Sequence, residues 1–588
     1  MPLFKPCCSM KKLPMMVAAL LYLTQQANAQ TYIIHANVVD VLTHKILADQ
    51  TVVIQDKLIQ QTGPSKKITP MAGATVIDAT GKWVMPGLVD AHVHFFQTGG
   101  LYTRPDALDL RKFHPYEKEI EWYKAHMEAQ LRRYVSCGIT TVLDMGATYN
   151  LLQLRDSLAG QWYSPRILMA GPLVSTAYSP KTFDLLPTGD APFLPVHTPD
   201  EALKATQQQY SHHPDMIKIW YITEAADATG SAREREPMVK AVTTDAQAHH
   251  YPVAVHATEL LPARLAVEAG AHYLVHSVDD AVIDDSFIQL LKQRQAVLCP
   301  TLTVIDNYYK TFSQQYAPTA EDYTKADPEQ LGSLQELGHL PDSVIAAQYK
   351  RLAAQRAQGN ARADSISAIN LKKLVDAGIP VATGTDAGNI GTLHASSYFK
   401  ELRAMQHAGM NNWQLLTAST INGAKAAGKE KDLGSITAGK TADLLILNGN
   451  PVDDLQQLEQ IAYVVNHGRV LRPDTLLQDS PEDIVQRQVN AYNAHDLHAF
   501  LSFYADDATL YNFPDQQIAK GKETMRKMYG FLEKAPGLHV TVSNRIVRNN
   551  VIIDHEVLTT AADKTGRNAV AIYVVEGQRI NKVYFIIK

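Results

Sequence analysis

Read as apolar and polar positions, the chain changes period along its length. Short alternating segments come first, TYIIHANVVDV and QTVVIQDKLIQQTG, with a tight turn at Asp56-Lys57. They predict small antiparallel strands. From 83 to 432, short apolar runs alternate with stretches of helical spacing. The runs are VMPGLVDAHVH, TTVLDMG, RILMAGP, DMIKIWY, YPVAVHA, YLVHSV, AVLCPTL and PVATGTDAG; EALKATQQQY and LPARLAVEAG lie between them. Eight strand–helix units of this length predict an α/β fold, a parallel sheet closed into a (β/α)8 TIM barrel. Strand period returns in TADLLILNGNP and IAYVVNHGRVL. Residues 30–82 and 433–472 are therefore expected to form one small flanking β-sandwich built from both ends of the barrel region. Residues 306–362 read as a polar, helix-prone insertion after the seventh strand, on the active-site face and suited to a lid.

The pattern breaks at 473–481, a polar, proline-bounded linker. A new unit, 482–588, follows. Ser480-Pro481-Glu482-Asp483 is a helix start, IVQRQVNAYNAHDLHAFLSFY keeps helical spacing, and VIIDHEVLTT, AVAIYVVEG and KVYFIIK read as strands. This predicts a separate α+β domain of about 100 residues, an ordinary domain size.

Composition narrows the class. The 588 residues are 46% apolar and 20% charged with a net charge of -5, which fits a soluble globular protein and gives no sign of a nucleic-acid partner. Residues 1–29 read as a signal peptide: basic Lys11-Lys12, an apolar run over 13–23, and Ala27-Asn28-Ala29 as the cleavage site before Gln30. The run is shorter than the roughly 20 residues of a membrane span, so no anchor is expected after cleavage, and the mature chain is expected in the periplasm or secreted. Cys7 and Cys8 lie in the leader; Cys137 and Cys299 sit singly in apolar segments and read as core thiols.

The candidate chemistry lies at the strand ends. His92 and His94 form an H-x-H at the end of the first barrel strand, where i and i+2 share a face. Lys218 lies in MIKIW, His256 ends VAVHA, His276 ends YLVHS and Asp386 ends ATGTD. Parallel barrel strands bring those ends to one rim, and imidazole with carboxylate suits zinc and its neighbours. Lys218 alternates with Ile217 and Ile219 and so faces the interior with Met216 and Trp220. Burial favours its neutral amine, which can take up carbon dioxide as a carbamate able to bridge two cations. A structural ion pair with a nearby carboxylate is the other reading, and spacing leaves both open.

These pieces together resemble the metal-dependent amidohydrolase superfamily, in particular its imidazolonepropionase-like and Xaa-dipeptidase-like members. The carrying motifs are MPGLVDAHVH, GITTVLDMG, IKIW, VAVHA, LVHS, PTL, GTDAG, LLTASTINGAKAAG and GSITAGKTADLLIL, in the family's order. The resemblance implies that His92, His94 and Asp386 bind one divalent ion and that His256 and His276 bind a second. Carbamylated Lys218 would bridge them, with zinc favoured. It implies an amide or other C–N hydrolase for a dipeptide, N-acyl amino acid or cyclic amide. A metal-bridging hydroxide would attack, and Asp386 would serve as general base and then general acid. Two alternatives remain. His256-Ala-Thr-Glu259 matches the H-x-x-E of mononuclear hydrolytic deaminases, although Glu259 also reads as a solvated helix-start carboxylate. A non-catalytic small-ligand-binding protein is the third.

Other candidates are His394, Tyr309 and Tyr221 as substrate contacts, with Tyr308, Thr301 and Asn389 beside them. His272 is expected outside the metal site. The unit from 482 resembles nuclear-transport-factor-like and steroid-isomerase-like cone domains through NAHDLHAFLSFYADDATLYNFP, GKETMRKMYGFL and EGQRINKVYFIIK. Gln488 and Asn512 stand where that isomerase needs a phenol and an acidic base, so a non-catalytic accessory role is expected, with self-association as a homo-oligomer or ligand capture.

Overall fold

The computed structural model of the chain describes residues 30–177 and 190–587, apart from 536, 561 and 564. The leader at 1–29 lies outside the described residues. Among them, no helix is long and apolar enough to cross a membrane.

The barrel closes through a ring of parallel pairings. Leu88–Val93 pairs with Ile139–Asp144, and that strand with Arg166–Met169. Ala170 bridges to Met216 at the start of the fourth strand, Ile217–Trp220. Val253–His256, Tyr273–Val275 and Val297–Cys299 continue the sheet. The eighth segment, 381–387, is held by bridges on both sides, Leu298 to Val381 and Val93 to Ala387. Small and branched side chains fill the interior: Val89, Ala91, Met216, Ala254, Val275 and Cys299 belong to one buried cluster. Cys137 packs in the outer core between strands and helices. Both thiols are free and buried.

The flanking β-unit is built, as expected, from both ends of the barrel region. Its strands form one eight-stranded sheet that includes Trp83–Pro86. The sheet turns back on itself, since Leu58 on its far edge strand bridges to Thr441 and the Ile59 amide donates to the Lys440 carbonyl at 2.8 Å. The folded-back sheet encloses a core of Ile33, Val52, Ile54, Leu444 and Ile446.

The insertion after the seventh strand is helical. It contains Thr303–Phe312, Ala320–Lys325 and Pro328–Ser333 and runs into the long helix Ser343–Asp376. The C-terminal unit is a six-stranded sheet packed by the helix Pro481–Asn493, whose start is fixed by a capping box between Ser480 and Asp483. This helix docks on the insertion. The buried Arg487 donates to the Tyr323 and Ala326 carbonyls at 2.7 and 3.1 Å and grips Asp479 with Nε and Nη2. Asn490 donates to the Pro328 carbonyl at 2.6 Å. The insertion is thus clamped between barrel and C-terminal domain.

Candidate metal centre

Strand alternation alone does not bring His92 to the mouth. Val89 and Ala91 face the interior cluster, so strict alternation would send residue 92 to the other face. A register shift between Asp90 and Val93, opposite Val142 to Asp144, supplies the turn that lets His92 and His94 enter together. His276 and Asp386 follow their strands in left-handed backbone, with φ of 76° and 59°. That conformation is uncommon outside glycine and concentrates at functional sites. It swings both side chains off the strand direction and into the rim.

The donors converge. His92 Nε2 lies 3.2 Å from His94 Nε2, and each lies 3.3 Å from Asp386 Oδ1. Ligands at about 2.0–2.1 Å from a tetrahedral ion stand roughly 3.3 Å from one another, so these three atoms fit the corners of one coordination site. His276 adds a ring nitrogen to a group in which His92, His276 and Asp386 donors all lie within 4.8 Å. His256 stacks edge-on against His276, ring centres 4.4 Å apart. Thr301, also in left-handed backbone, fixes His276 through a 2.7 Å contact from its Oγ1 to Nδ1. Such an outer partner sets the tautomer of a ligating imidazole.

The electrostatics agree with a site built for cations. Lys218 is 1% exposed and its Nζ has no hydrogen-bond partner. The structural ion pair considered for it is therefore absent among the described residues. Burial pushes its ammonium down to about 7, against the pull of Asp386. Burial, reinforced by Lys218 and other histidines, drives His92, His256 and His276 well below 6.5, which favours the neutral imidazole that can ligate a cation. Burial raises Asp386, but the His94 hydrogen bond and the charges of His276, His94 and Lys218 outweigh it and hold the carboxyl below its ordinary value. His92 Nδ1 also lacks a hydrogen-bond partner, and among the described residues Asp386 Oδ1 is approached only by His92 and His94 Nε2 at 3.3 Å. Buried polar atoms are normally paired, so the unpartnered Lys218 Nζ and His92 Nδ1 on residues of one cavity wall suit a place for a ligand. Imidazoles and a carboxylate are a donor set suited to a divalent metal.

These residues line a cavity of about 590 Å³, with Arg104, Trp220, Asp279, Tyr308, Arg356 and Asn389 also on its walls. Three expected substrate contacts lie elsewhere. His394 is buried behind the loop, bound by the Tyr134 hydroxyl and the Gln97 carbonyl at 2.8 Å each, and is pushed down to about 4 by burial. Tyr221 turns into the core and donates to the Ala232 carbonyl. Tyr309 sits on the half-exposed side of its helix, and Tyr308 takes the cavity side. Thr301 and Asn389 do line the cavity. His272 is outside the cluster, 3.1 Å from the Ala426 carbonyl. Glu259 accepts from Thr223 at 2.7 Å and lies away from the cavity wall. Sequence reasoning missed Arg104, Arg356 and Asp279, because no strand-end spacing marks them.

The Amidohydrolase family profile matches residues 83–471 and a SnoaL-like domain profile matches 485–583. An imidazolonepropionase of Porphyromonas gingivalis (strain ATCC BAA-308 / W83) is 22% identical over 464 residues, 73% of this chain and 90% of that one. Another, from Shouchella clausii (strain KSM-K16), is 37% identical over 109 residues, 18% of this chain and only 22% of its own length. A solved Xaa-Pro dipeptidase with bound methionine in its active site superposes with a TM-score of 0.56 at 22% identity, covering 76% of this chain and 100% of its own.

Proposed function

The chain belongs to the amidohydrolase family, and from that premise we propose that it hydrolyses an amide or other carbon–nitrogen bond of a small molecule: a dipeptide, an N-acyl amino acid or a cyclic amide. The observation that carries the proposal is the convergence of His92, His94 and Asp386 donors at 3.2–3.3 Å beside the unpartnered Lys218 amine. In this reading His92, His94 and Asp386 hold one divalent ion, and His256 and His276 hold a second, zinc by the preference of the donor set. When bound, such ions lower the pKa of water from about 15.7 to about 7 and withdraw charge from a carbonyl oxygen. The neutral Lys218 Nζ would form an N–C bond to carbon dioxide, losing a proton to solvent, and the carbamate so made would help to hold the ions. The Asp386 carboxylate takes the proton of the attacking water and returns it to the leaving nitrogen. Asn389 Nδ2, 3.2 Å from the Asp386 carbonyl, holds that loop in place.

A mononuclear deaminase draws less support, since Glu259 is bound to Thr223 off the cavity wall. The C-terminal domain is proposed as a non-catalytic accessory unit through which the chain self-associates. The leader directs export to the periplasm or medium. N-terminal sequencing of the mature protein near Gln30 tests export, and sedimentation tests assembly. The deciding experiment measures metal content and screens the purified protein against dipeptides, N-acyl amino acids and cyclic amides. Two divalent ions per chain with amide cleavage are expected. A metal-loaded protein that cleaves none of these classes, or releases only ammonia from an amino-heterocycle, overturns the reading.

A further inference from the structure

One wall of the cavity carries a cation that no anion among the described residues pairs with. The helix Ser343–Asp376 lays Arg356, Ala363, Asp364, Ser367 and Ala368 along it. The Arg356 guanidinium lies 4.7 Å over the ring of Tyr308 and 5.9 Å from that of Phe312. Among the described residues it has ring faces for neighbours and neither a hydrogen bond nor an ion pair. Asp364 is two turns further along the same helix, about 12 Å away at 1.5 Å per residue.

Arg104, on the same wall, is held firmly. Its Nε and Nη2 each donate to Asp106 at 2.7 Å, and Nη1 donates to Asn389 Oδ1 at 2.7 Å. Guanidinium carries five N–H bonds, so donors remain free on both terminal nitrogens. The Tyr308 hydroxyl donates to the same Asn389 oxygen at 2.9 Å. Asn389 in turn holds the loop of Asp386. Arg356, Tyr308, Asn389 and the Asp386 loop therefore form one chain of contacts from the cation to the metal-ligating cluster. Asp106 is taken up by Arg104, and the other carboxylates of the cavity, Asp279, Asp364 and Asp386, make no ion pair with Arg356, so among the described residues its charge stays unpaired in a half-buried wall. Such a charge is costly to keep unless an anion meets it.

We propose that Arg356, with Arg104 beside it, anchors a carboxylate of the substrate, so that the substrate is an N-acyl amino acid or dipeptide whose free carboxylate ends at this wall. This rests on the hydrolase reading and selects among its substrate classes: a cyclic amide without a carboxylate leaves Arg356 unmet. The planar fork of arginine matches a carboxylate with two parallel hydrogen bonds, and stacking on Tyr308 holds the fork in one plane. Phe96, Phe193 and Trp220 on the cavity wall suit an apolar side chain.

The test uses full-length, metal-loaded protein, wild type, Arg356→Met and Arg356→Lys. N-acetyl-L-phenylalanine is compared with N-acetyl-2-phenylethylamine, which keeps the amide and ring and lacks the carboxylate. Wild type should favour the carboxylate probe by about 10- to 150-fold in kcat/KM, the range of a charge-assisted contact. In Arg356→Met the preference should fall within about threefold, through KM, and Arg356→Lys should restore part of it. Equal loss on both probes overturns the anchor. Calorimetric titration with hydrocinnamate, a carboxylate without an amide, separates the two claims. Affinity about tenfold weaker in Arg356→Met supports the anchor even where neither amide is cleaved, an outcome that would sink only the hydrolase reading. Unchanged affinity sinks the anchor.

Discussion

The barrel mouth and the interior of the C-terminal domain both bury charge, and they treat it in opposite ways. In the C-terminal domain Asp554 receives Arg545 Nε and Nη2 at 2.7 Å each, and Glu556 accepts the Tyr573 hydroxyl at 2.7 Å. Those carboxylates are met by the chain itself. At the barrel mouth Lys218 Nζ and His92 Nδ1 are left without hydrogen bonds. Unpaired buried atoms also gather at Arg166, Asp443 and His467, where an arginine of the chain already supplies the positive charge. Satisfied buried charge holds a fold together, whereas unsatisfied buried charge of matched donor type at one point is kept for a ligand.

Substitutions on each side should break this contrast in different observables. The largest effect is expected for Lys218→Ala. Hydrolysis should fall more than about 100-fold, beyond the loss on removing an outer-shell partner, with fewer metal ions per chain. The folding stability of the metal-free protein should hold or rise, because an unpartnered buried amine is gone. Metal analysis with chemical denaturation checks both halves. Next is Arg487→Ala, which leaves Asp479 and two carbonyls of the insertion unpaired. A loss of about 3–5 kcal/mol is expected in denaturant unfolding, as for a broken buried ion pair.

Glu556→Gln should act through pH. Burial raises the Glu556 carboxyl to about 7 against the Tyr573 hydrogen bond. The folded state therefore binds a proton that the unfolded state has released, and this contribution is complete below about 4.5 and lost as pH rises toward 7. Relative to the Gln variant, wild type should lose on the order of 3 kcal/mol over that window, with hydrolysis at fixed pH unchanged. Thermal melts of both proteins from pH 4.5 to 7.5 measure it; parallel profiles would show that Glu556 does not titrate there. The smallest effect is expected for Glu259→Gln, under about threefold in kcat/KM, the scale of an ordinary surface change. A near-complete loss would revive the deaminase.

The strand–helix rhythm made the barrel legible, because a parallel strand buried on both faces reads as a short apolar run whatever surrounds it. The metal-ligating candidates were legible for a related reason: a polar residue at the end of such a run has few places to go except the common rim. The substrate contacts were not. Tyr308 and Tyr309 are adjacent and chemically alike, and only the helix phase against Asn389 decides which one meets the cavity. His394 stands as close in sequence to Asp386 as a ligand would, yet Tyr134 and the Gln97 carbonyl claim both its nitrogens.

By itself, then, the sequence determined the periodic elements and the residue types at the strand ends, since both follow from local spacing and burial. Tertiary structure decided the rest. A one-residue register shift turned His92 into the mouth, left-handed backbone aimed His276 and Asp386, and the docked insertion carried Arg356 to a wall more than two hundred residues from Arg104. Such distances are set by how elements pack, and packing sums many weak contacts that no single stretch of chain contains.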